Sequence, residues 1–275
     1  MPYITLKDRR IYYEDRGTGF PILFGHSYLW DAAMWEPQLE ALSASYHCIA
    51  PDLAAHGRSD PPPETAYSVE ALAEDHWAVA SALGLDRLAI VGLSVGGMWG
   101  IHLTLNHPEA VAALVLLDTF VGPEPEESRL RYFGMLDIVE QAGAIPAPML
   151  DTIASIMLSP VTIQRSPDFV NRFKDALASM PAERVPGVVG IGRGIFARRS
   201  ILDRLHEIDA PTMVVVGADD LARPPHEARQ MAEAVPGAHL EVVADAGHIC
   251  NLEQPEQVTE LLQSFLDKAL SNEPV

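Results

Sequence analysis

Ser94 sits in Ile90-Val91-Gly92-Leu93-Ser94-Val95-Gly96-Gly97-Met98, a Gly-x-Ser-x-Gly pattern. The pattern directly follows a strand-like run and directly precedes a helical one. A sharp turn between the two forces the serine into strained backbone geometry, and the flanking glycines remove side chains that would collide there. The hydroxyl then projects at a helix N-terminus, where positive dipole potential favours developing negative charge. That chemistry is nucleophilic attack on a carbonyl carbon. A serine hydroxyl is a weak nucleophile at neutral pH and needs a base. There are ten histidines, so composition does not choose. Context points to His248, in Ala244-Asp245-Ala246-Gly247-His248-Ile249, just past the apolar run Leu240–Val243. His102 and His107 read as helix-face and helix-end residues. His47, His76, His206, His226 and His239 read as strand-end or helix-surface residues. The acid that orients the imidazole is expected after the preceding strand, in Gly217-Ala218-Asp219-Asp220-Leu221. The residues alone leave Asp219 and Asp220 open. Asp118, at the end of Ala113–Leu117, is a third candidate whose plainer role is to cap the segment that follows.

Positioning these groups requires strands whose ends share one edge. Tyr3–Leu6 and Arg10–Arg16 read as an N-terminal hairpin, and Pro21–Gly25 as a buried strand that stops at a glycine. Further strand-like runs lie at Tyr46–Ala50, Leu88–Val91, Ala113–Leu117, Thr212–Val216 and Leu240–Val243. Helical patterns fall between or after them at Trp35–Ala44, Val69–Leu83, Val95–Asn106, Pro225–Val235 and Pro255–Leu270. Strands alternating with helices predict a mostly parallel sheet covered on both faces. The alternation breaks once, from Phe120 to Leu205, where helix-compatible pieces are punctuated by proline. A long excursion of this kind is often a lid over the site. The expected organisation is therefore a core domain of residues 1–119 and 206–275 with a helical cap of residues 120–205.

Charge isolates the same segment. Phe120–Leu205 holds ten basic and ten acidic residues, whereas the rest of the chain holds nine basic and 28 acidic ones. A formal net charge of −19 repels phosphate backbones and argues against nucleic acid as a partner. Hydrophobic residues make up 48% of the 275-residue chain, enough for a full core. Cys48 and Cys250 are too few for a disulfide scaffold and lack a zinc-binding spacing. The start Met1-Pro2-Tyr3-Ile4-Thr5-Leu6-Lys7 has no signal-peptide pattern, and no run approaches a membrane span. A soluble cytoplasmic protein that does not engage membranes is the expectation. Homo-oligomers are compatible with it.

Taken together, these motifs resemble the α/β-hydrolase fold superfamily over essentially the whole chain. The resemblance rests on Gly92-Leu93-Ser94-Val95-Gly96-Gly97, Asp52-Leu53-Ala54-Ala55-His56-Gly57-Arg58-Ser59, Gly217-Ala218-Asp219-Asp220 and Gly247-His248. It implies an eight-stranded, mostly parallel sheet flanked by helices with an inserted helical cap. It also implies a triad of Ser94, Asp220 and His248, because the family's acid is the fourth residue of its Gly-x-x-Asp turn. Two backbone N–H groups, of Val95 and Tyr28, would form the oxyanion hole. The family usually carries His-Gly-x where this chain reads His26-Ser27-Tyr28. The tail His248-Ile249-Cys250-Asn251-Leu252-Glu253-Gln254-Pro255-Glu256 is similar to the 3-oxoadipate enol-lactonase group, as are Leu93 and Ser27. Small arylesterases with cofactor-free haloperoxidase activity share much of the pattern.

The implied reaction is hydrolysis of a small-molecule carboxylic ester or lactone through an acyl-enzyme, with neither metal nor organic cofactor. His26, Trp30, Phe133 and Met135 are candidate pocket residues. Carbon–carbon bond hydrolases of ring-cleavage products usually carry asparagine where Leu93 stands, and Ser94 excludes the dehalogenases that use aspartate. A non-catalytic ligand-binding member of the superfamily is the remaining alternative. The 120–205 segment also holds Arg129, Arg131, Arg165, Arg172, Arg184, Arg193, Arg198, Arg199 and Arg204. Pairing with the acidic residues of the same segment is their expected role. One that pointed into the cleft would instead hold a substrate carboxylate.

Overall fold

In Leu88–Leu93, Val111–Leu117 and Thr212–Gly217 every residue is buried. Runs apolar on both faces belong in the middle of a sheet covered by helices on each side. A computed structural model describes residues 2–6, 8–63, 66–271 and 273 and places them there. Met1 and Lys7, part of the N-terminal stretch read above, lie outside the described residues, as do Glu64, Thr65, Asn272, Pro274 and Val275.

Among the described residues, eight strands form one sheet: β1 (Tyr3–Leu6), β2 (Arg9–Arg16), β3 (Phe20–Gly25), β4 (Tyr46–Pro51), β5 (Leu88–Leu93), β6 (Val111–Leu117), β7 (Thr212–Gly217) and β8 (His239–Val243). Their order is β1-β2-β4-β3-β5-β6-β7-β8. Only the pairings of β1 with β2 and of β2 with β4 are antiparallel; the others run parallel. This is the architecture the alternation of runs predicts.

Helices α1 (Glu36–Leu42), α2 (Val69–Ala82) and α3 (Val95–Asn106) link strands in the first half of the chain. Between β6 and β7 come α4 (Glu126–Ala142), α5 (Ala147–Met157), α6 (Pro160–Arg165), α7 (Pro167–Ala178) and α8 (Val185–Phe196). After β7 follow α9 (Pro225–Ala234), α10 (Cys250–Glu253) and α11 (Pro255–Ala269). Among the described residues, no helix is long and apolar enough to cross a membrane.

The two-residue period of a strand sends neighbouring side chains to opposite faces. Phe24, Val91, Val115 and Val215 pack with Leu39 of α1 and with Val258, Leu262 and Leu266 of α11. Their neighbours Leu23, Ile90, Leu114 and Val214 pack with Leu72 of α2, Trp99 of α3 and Met231 of α9. Each such fully buried aliphatic side chain stabilises the fold by about 1.5–3 kcal/mol before chain entropy is counted. In the excursion between β6 and β7, α4 buries Tyr132, Leu136 and Val139, and α7 buries Val170, Phe173 and Leu177. Those spacings are single helical faces, so these helices are amphipathic and have something to cover.

Candidate active site

The carboxyl ends of the parallel strands meet at one edge, and the chemistry-bearing residues follow them directly. Ser94 comes after β5, Asp118 after β6, Asp220 three residues past β7, and His248 in the loop past β8. Ser94 adopts φ +57° and ψ −119°, a conformation L-residues rarely hold. The glycines around it allow the turn. A Cβ on Gly92 would lie 2.4 Å from the carbonyl carbon of Gly96, and one on Gly96 would lie 2.1 Å from the Gly25 oxygen. Two hydrogen bonds lock the turn to the end of β6 and the residues after it: Ser94 N–H donates to the Leu117 carbonyl (2.9 Å), and the Thr119 hydroxyl donates to the Ser94 carbonyl (2.6 Å).

The three groups form one hydrogen-bonded line. His248 Nε2 lies 2.9 Å from Ser94 Oγ, and His248 Nδ1 lies 2.9 Å from Asp220 Oδ2. An ionised carboxylate only accepts, so Nδ1 carries the hydrogen and Nε2 is left to accept the serine proton. The other Asp220 oxygen accepts the backbone N–H groups of Ala222 and Arg223, both at 2.8 Å. Those two bonds fix the carboxylate's orientation. Asp219, by contrast, is half-buried, and its backbone N–H is tied to Ala246. The geometry therefore separates two aspartates that the residues alone left open.

Asp118 is fully buried and holds φ +45°. Its oxygens accept the N–H groups of Gly217 (2.7 Å) and Cys250 (3.3 Å), joining the ends of β7 and the His248 loop. Burial, and then the negative charge of Asp220, push its carboxyl well above the usual range. Capping the next segment, its plainer expected role, is replaced by this bridge. Burial, and then the Asp118 charge, likewise push the Cys250 thiol far up, which keeps it an inert, packed group.

Val95 is the first residue of α3, so its N–H has no carbonyl partner inside the helix. Tyr28 follows the β3 loop, lines the same cavity as Ser94, and anchors its hydroxyl by donating to the Val188 carbonyl (2.8 Å). Burial pushes that phenol above its ordinary value.

The cavity in front of Ser94 and His248 measures about 890 Å³ including its open mouth. Its wall is apolar and rich in methionine: Met98, Met135, Met149, Met157 and Met180. Of the four candidate pocket residues, Met135 lines this cavity and His26, Trp30 and Phe133 do not. His26 is buried in the core, where Nε2 accepts the Leu53 N–H (2.7 Å) and the ring packs beside His56. Trp30 stacks on Phe173 (ring centroids 4.8 Å apart, planes 5° apart) and so serves the packing of α7. Phe133 lies under the Arg193 guanidinium at 5.7 Å, while its neighbour Tyr132 takes the wall position. The i, i+3 spacing along α4 carries Tyr132, Met135 and Leu136 inward and turns Phe133 out. His76 is also a correction: rather than sitting on a helix surface, it is buried and stacked on Trp99 at 3.9 Å.

Most of the arginines between β6 and β7 are exposed or surface-paired, as with Arg129 on Glu126, Arg193 on Asp137 and Glu140, and Arg204 on Glu207. Arg198 is different. It lines the cavity together with Glu124 and Arg223. Sequence reading missed Glu124 and Arg223; a glutamate flanked by Pro123 and Pro125 carries no mark of burial.

Comparison with known proteins places this geometry in a wider setting. The alpha/beta hydrolase fold model matches residues 21–255. A protein named putative carbamate hydrolase RutD, from Caulobacter segnis, is 30% identical over 244 residues, covering 86% of this chain and 88% of that one. A thermophilic esterase from Thermogutta terrifontis, solved with malate bound, superposes with a TM-score of 0.88 at 29% identity, covering 98% of this chain and 99% of that one. The enol-lactonase from Burkholderia xenovorans LB400 superposes at 0.86 with 24% identity, over 96% of this chain and 99% of that one, a likeness of fold. With its strand order, its serine turn and a family match spanning most of its length, the chain belongs to the alpha/beta hydrolase fold family.

Proposed function

We propose that the protein is a serine hydrolase of carboxylic esters that works through an acyl-enzyme. The observation that carries this reading is the line Ser94 Oγ–His248 Nε2, His248 Nδ1–Asp220, each step 2.9 Å, reaching the wall of a mostly apolar cavity. Ser94 attacks the ester carbonyl while His248 Nε2 takes its proton, and Asp220 stabilises the imidazolium that forms. The N–H groups of Val95 and Tyr28 donate to the oxyanion, a contribution of about 3 kcal/mol per donor. His248 then protonates the leaving alcohol and activates the water that releases the acid. The helices between β6 and β7 act as its lid, since Tyr132, Met149, Met157 and Ile195 from α4, α5 and α8 wall the cavity.

An ester is favoured over a carbamate, the substrate named for the Caulobacter relative, because a wall this apolar suits a carbon-rich acyl or alcohol group. The test is labelling by a fluorophosphonate followed by hydrolysis of a panel of aryl esters, lactones and carbamates. Stoichiometric labelling lost in Ser94→Ala, with esters turned over fastest, is the expected result. No labelling would sink the serine mechanism. Labelling with carbamates turned over fastest would keep the mechanism and overturn the substrate.

A further inference from the structure

Away from Ser94 and His248, charged side chains enter the cavity wall where Glu124, Arg198 and Arg223 line it. There Glu124 accepts from Arg198 Nη1 (2.8 Å) and from Arg223 Nη2 (2.6 and 2.8 Å). Glu227 stands 3.5 Å from Arg223 Nη1 and completes a quartet of two guanidiniums and two carboxylates. All four side chains are at least nine-tenths buried. Buried ion pairs are seldom worth more to stability than apolar packing of the same volume. Their presence in a substrate cavity therefore calls for another reason.

Arg198 supplies one. Its Nη1 is committed to Glu124, but Nε and Nη2 are buried and have no acceptor. Those two N–H groups form one edge of the planar guanidinium, the edge that donates in parallel to an oxygen group. Buried donors almost always find partners, so an unpaired edge on a residue of the cavity wall marks a place for an acceptor once its neighbours shift. The quartet is electrically balanced, which decides what kind. A ligand carboxylate would add a fifth, uncompensated charge in a desolvated place, whereas a carbonyl oxygen satisfies the same donors without one. Burial, and then the Arg223 charge, already hold Arg198 below its ordinary value, a sign of how poorly solvated the cluster is. The methionine wall is adaptable enough to let an acceptor reach the edge.

We infer that Arg198 is a specificity residue for esters whose acyl chain carries a second, uncharged carbonyl away from the scissile one. The inference rests on the esterase reading above. Substrates are the p-nitrophenyl esters of octanoate, of 5-oxo-, 6-oxo- and 7-oxo-octanoate, and of octanoate with a terminal carboxylate. The wild type should hydrolyse at least one oxo ester with kcat/KM on the order of tenfold above octanoate, with the carboxylate ester below both. In Arg198→Met the ratio of oxo ester to octanoate should fall to about one. A ratio taken within one protein is insensitive to loss of total activity. Binding gives a second measurement: thermal shift of Ser94→Ala by the methyl esters of the same acids, which needs no turnover. Equal rates and equal shifts for oxo and plain chains would overturn the inference and leave the edge to ordered water. A preference for the carboxylate ester would overturn the charge argument. Absent turnover together with absent fluorophosphonate labelling would instead defeat the esterase reading, while the thermal shifts would still decide the binding claim.

Discussion

Glu253 holds Ser159 by its backbone: one carboxylate oxygen accepts the Ser159 N–H at 2.8 Å, and the other accepts the N–H of Gly247 at 2.8 Å. Ser159 stands between α5 and α6, whereas Gly247 precedes His248, so one side chain ties the helices between β6 and β7 to the His248 loop. Two more bonds follow the same line. Ser159 Oγ donates to the Asp245 carbonyl (3.2 Å), and His248 N–H donates to the Met157 carbonyl (2.9 Å).

Glu253→Ala should therefore loosen the base without unfolding the chain. It leaves two backbone donors unpaired, at about 1–3 kcal/mol each where water cannot reach them. Turnover should fall on the order of tenfold, and hydrogen exchange at Gly247 and Ser159 should accelerate. Unchanged exchange at both amides would mean that the carboxylate holds nothing in place.

The two neighbouring aspartates should part company under mutation. Asp220→Asn keeps the shape but offers His248 Nδ1 a poorer acceptor and the wrong tautomer, so kcat should drop on the order of a thousandfold or more. Asp219→Asn, with no bond to the imidazole, should stay within about threefold. Steady-state kinetics of both proteins on one ester decides it, and the reverse order would move the acid to Asp219.

Asp118 should prove to be a structural acceptor sensitive to size more than to charge. Asp118→Ala orphans the N–H groups of Gly217 and Cys250 and should cost about 2–5 kcal/mol, read from urea midpoints. Asp118→Asn keeps one acceptor oxygen and should cost less. The raised native pKa fixes the sign of its pH dependence. The neutral acid is the form the native state prefers, so its stabilising contribution is present at low pH and lost as pH rises through the native value. Asp118→Asn should flatten that loss.

His56 and His76 work in the opposite direction. Burial holds them down to about 3 and about 4, against about 6.5 in an unfolded chain. The unfolded chain takes up protons first, so their contribution is complete above about pH 6.5 and is lost as pH falls toward 4 and then 3. Melting temperatures measured from pH 7 to 4 should decline, and His76→Phe, which keeps a ring against Trp99, should decline less steeply. An identical slope in the variant would remove His76 from the account.

Much of this architecture is written locally. The strands are legible because a buried parallel strand is a short apolar run, and the turn at Ser94 is legible because its glycines are demanded by steric contacts within a few residues. His248 is legible by its place after the last strand run. The wall of the cavity is not. Glu124, Arg198 and Arg223 meet across 99 and 74 positions of sequence separation, and no local pattern encodes a contact between the β6–β7 excursion and the loop after β7. Nor does composition tell a pocket aromatic from a packing one. Trp30 and Phe133 turn away from the cavity because α7 and Arg193 offer them better partners. Of Asp219 and Asp220, it is the Asp220 carboxylate that the backbone N–H groups of Ala222 and Arg223 orient toward the imidazole, a contact made only in space. Chain-local sterics and hydrophobic pattern determine the strands and the Ser94 turn; long-range packing alone decides what the cavity can hold.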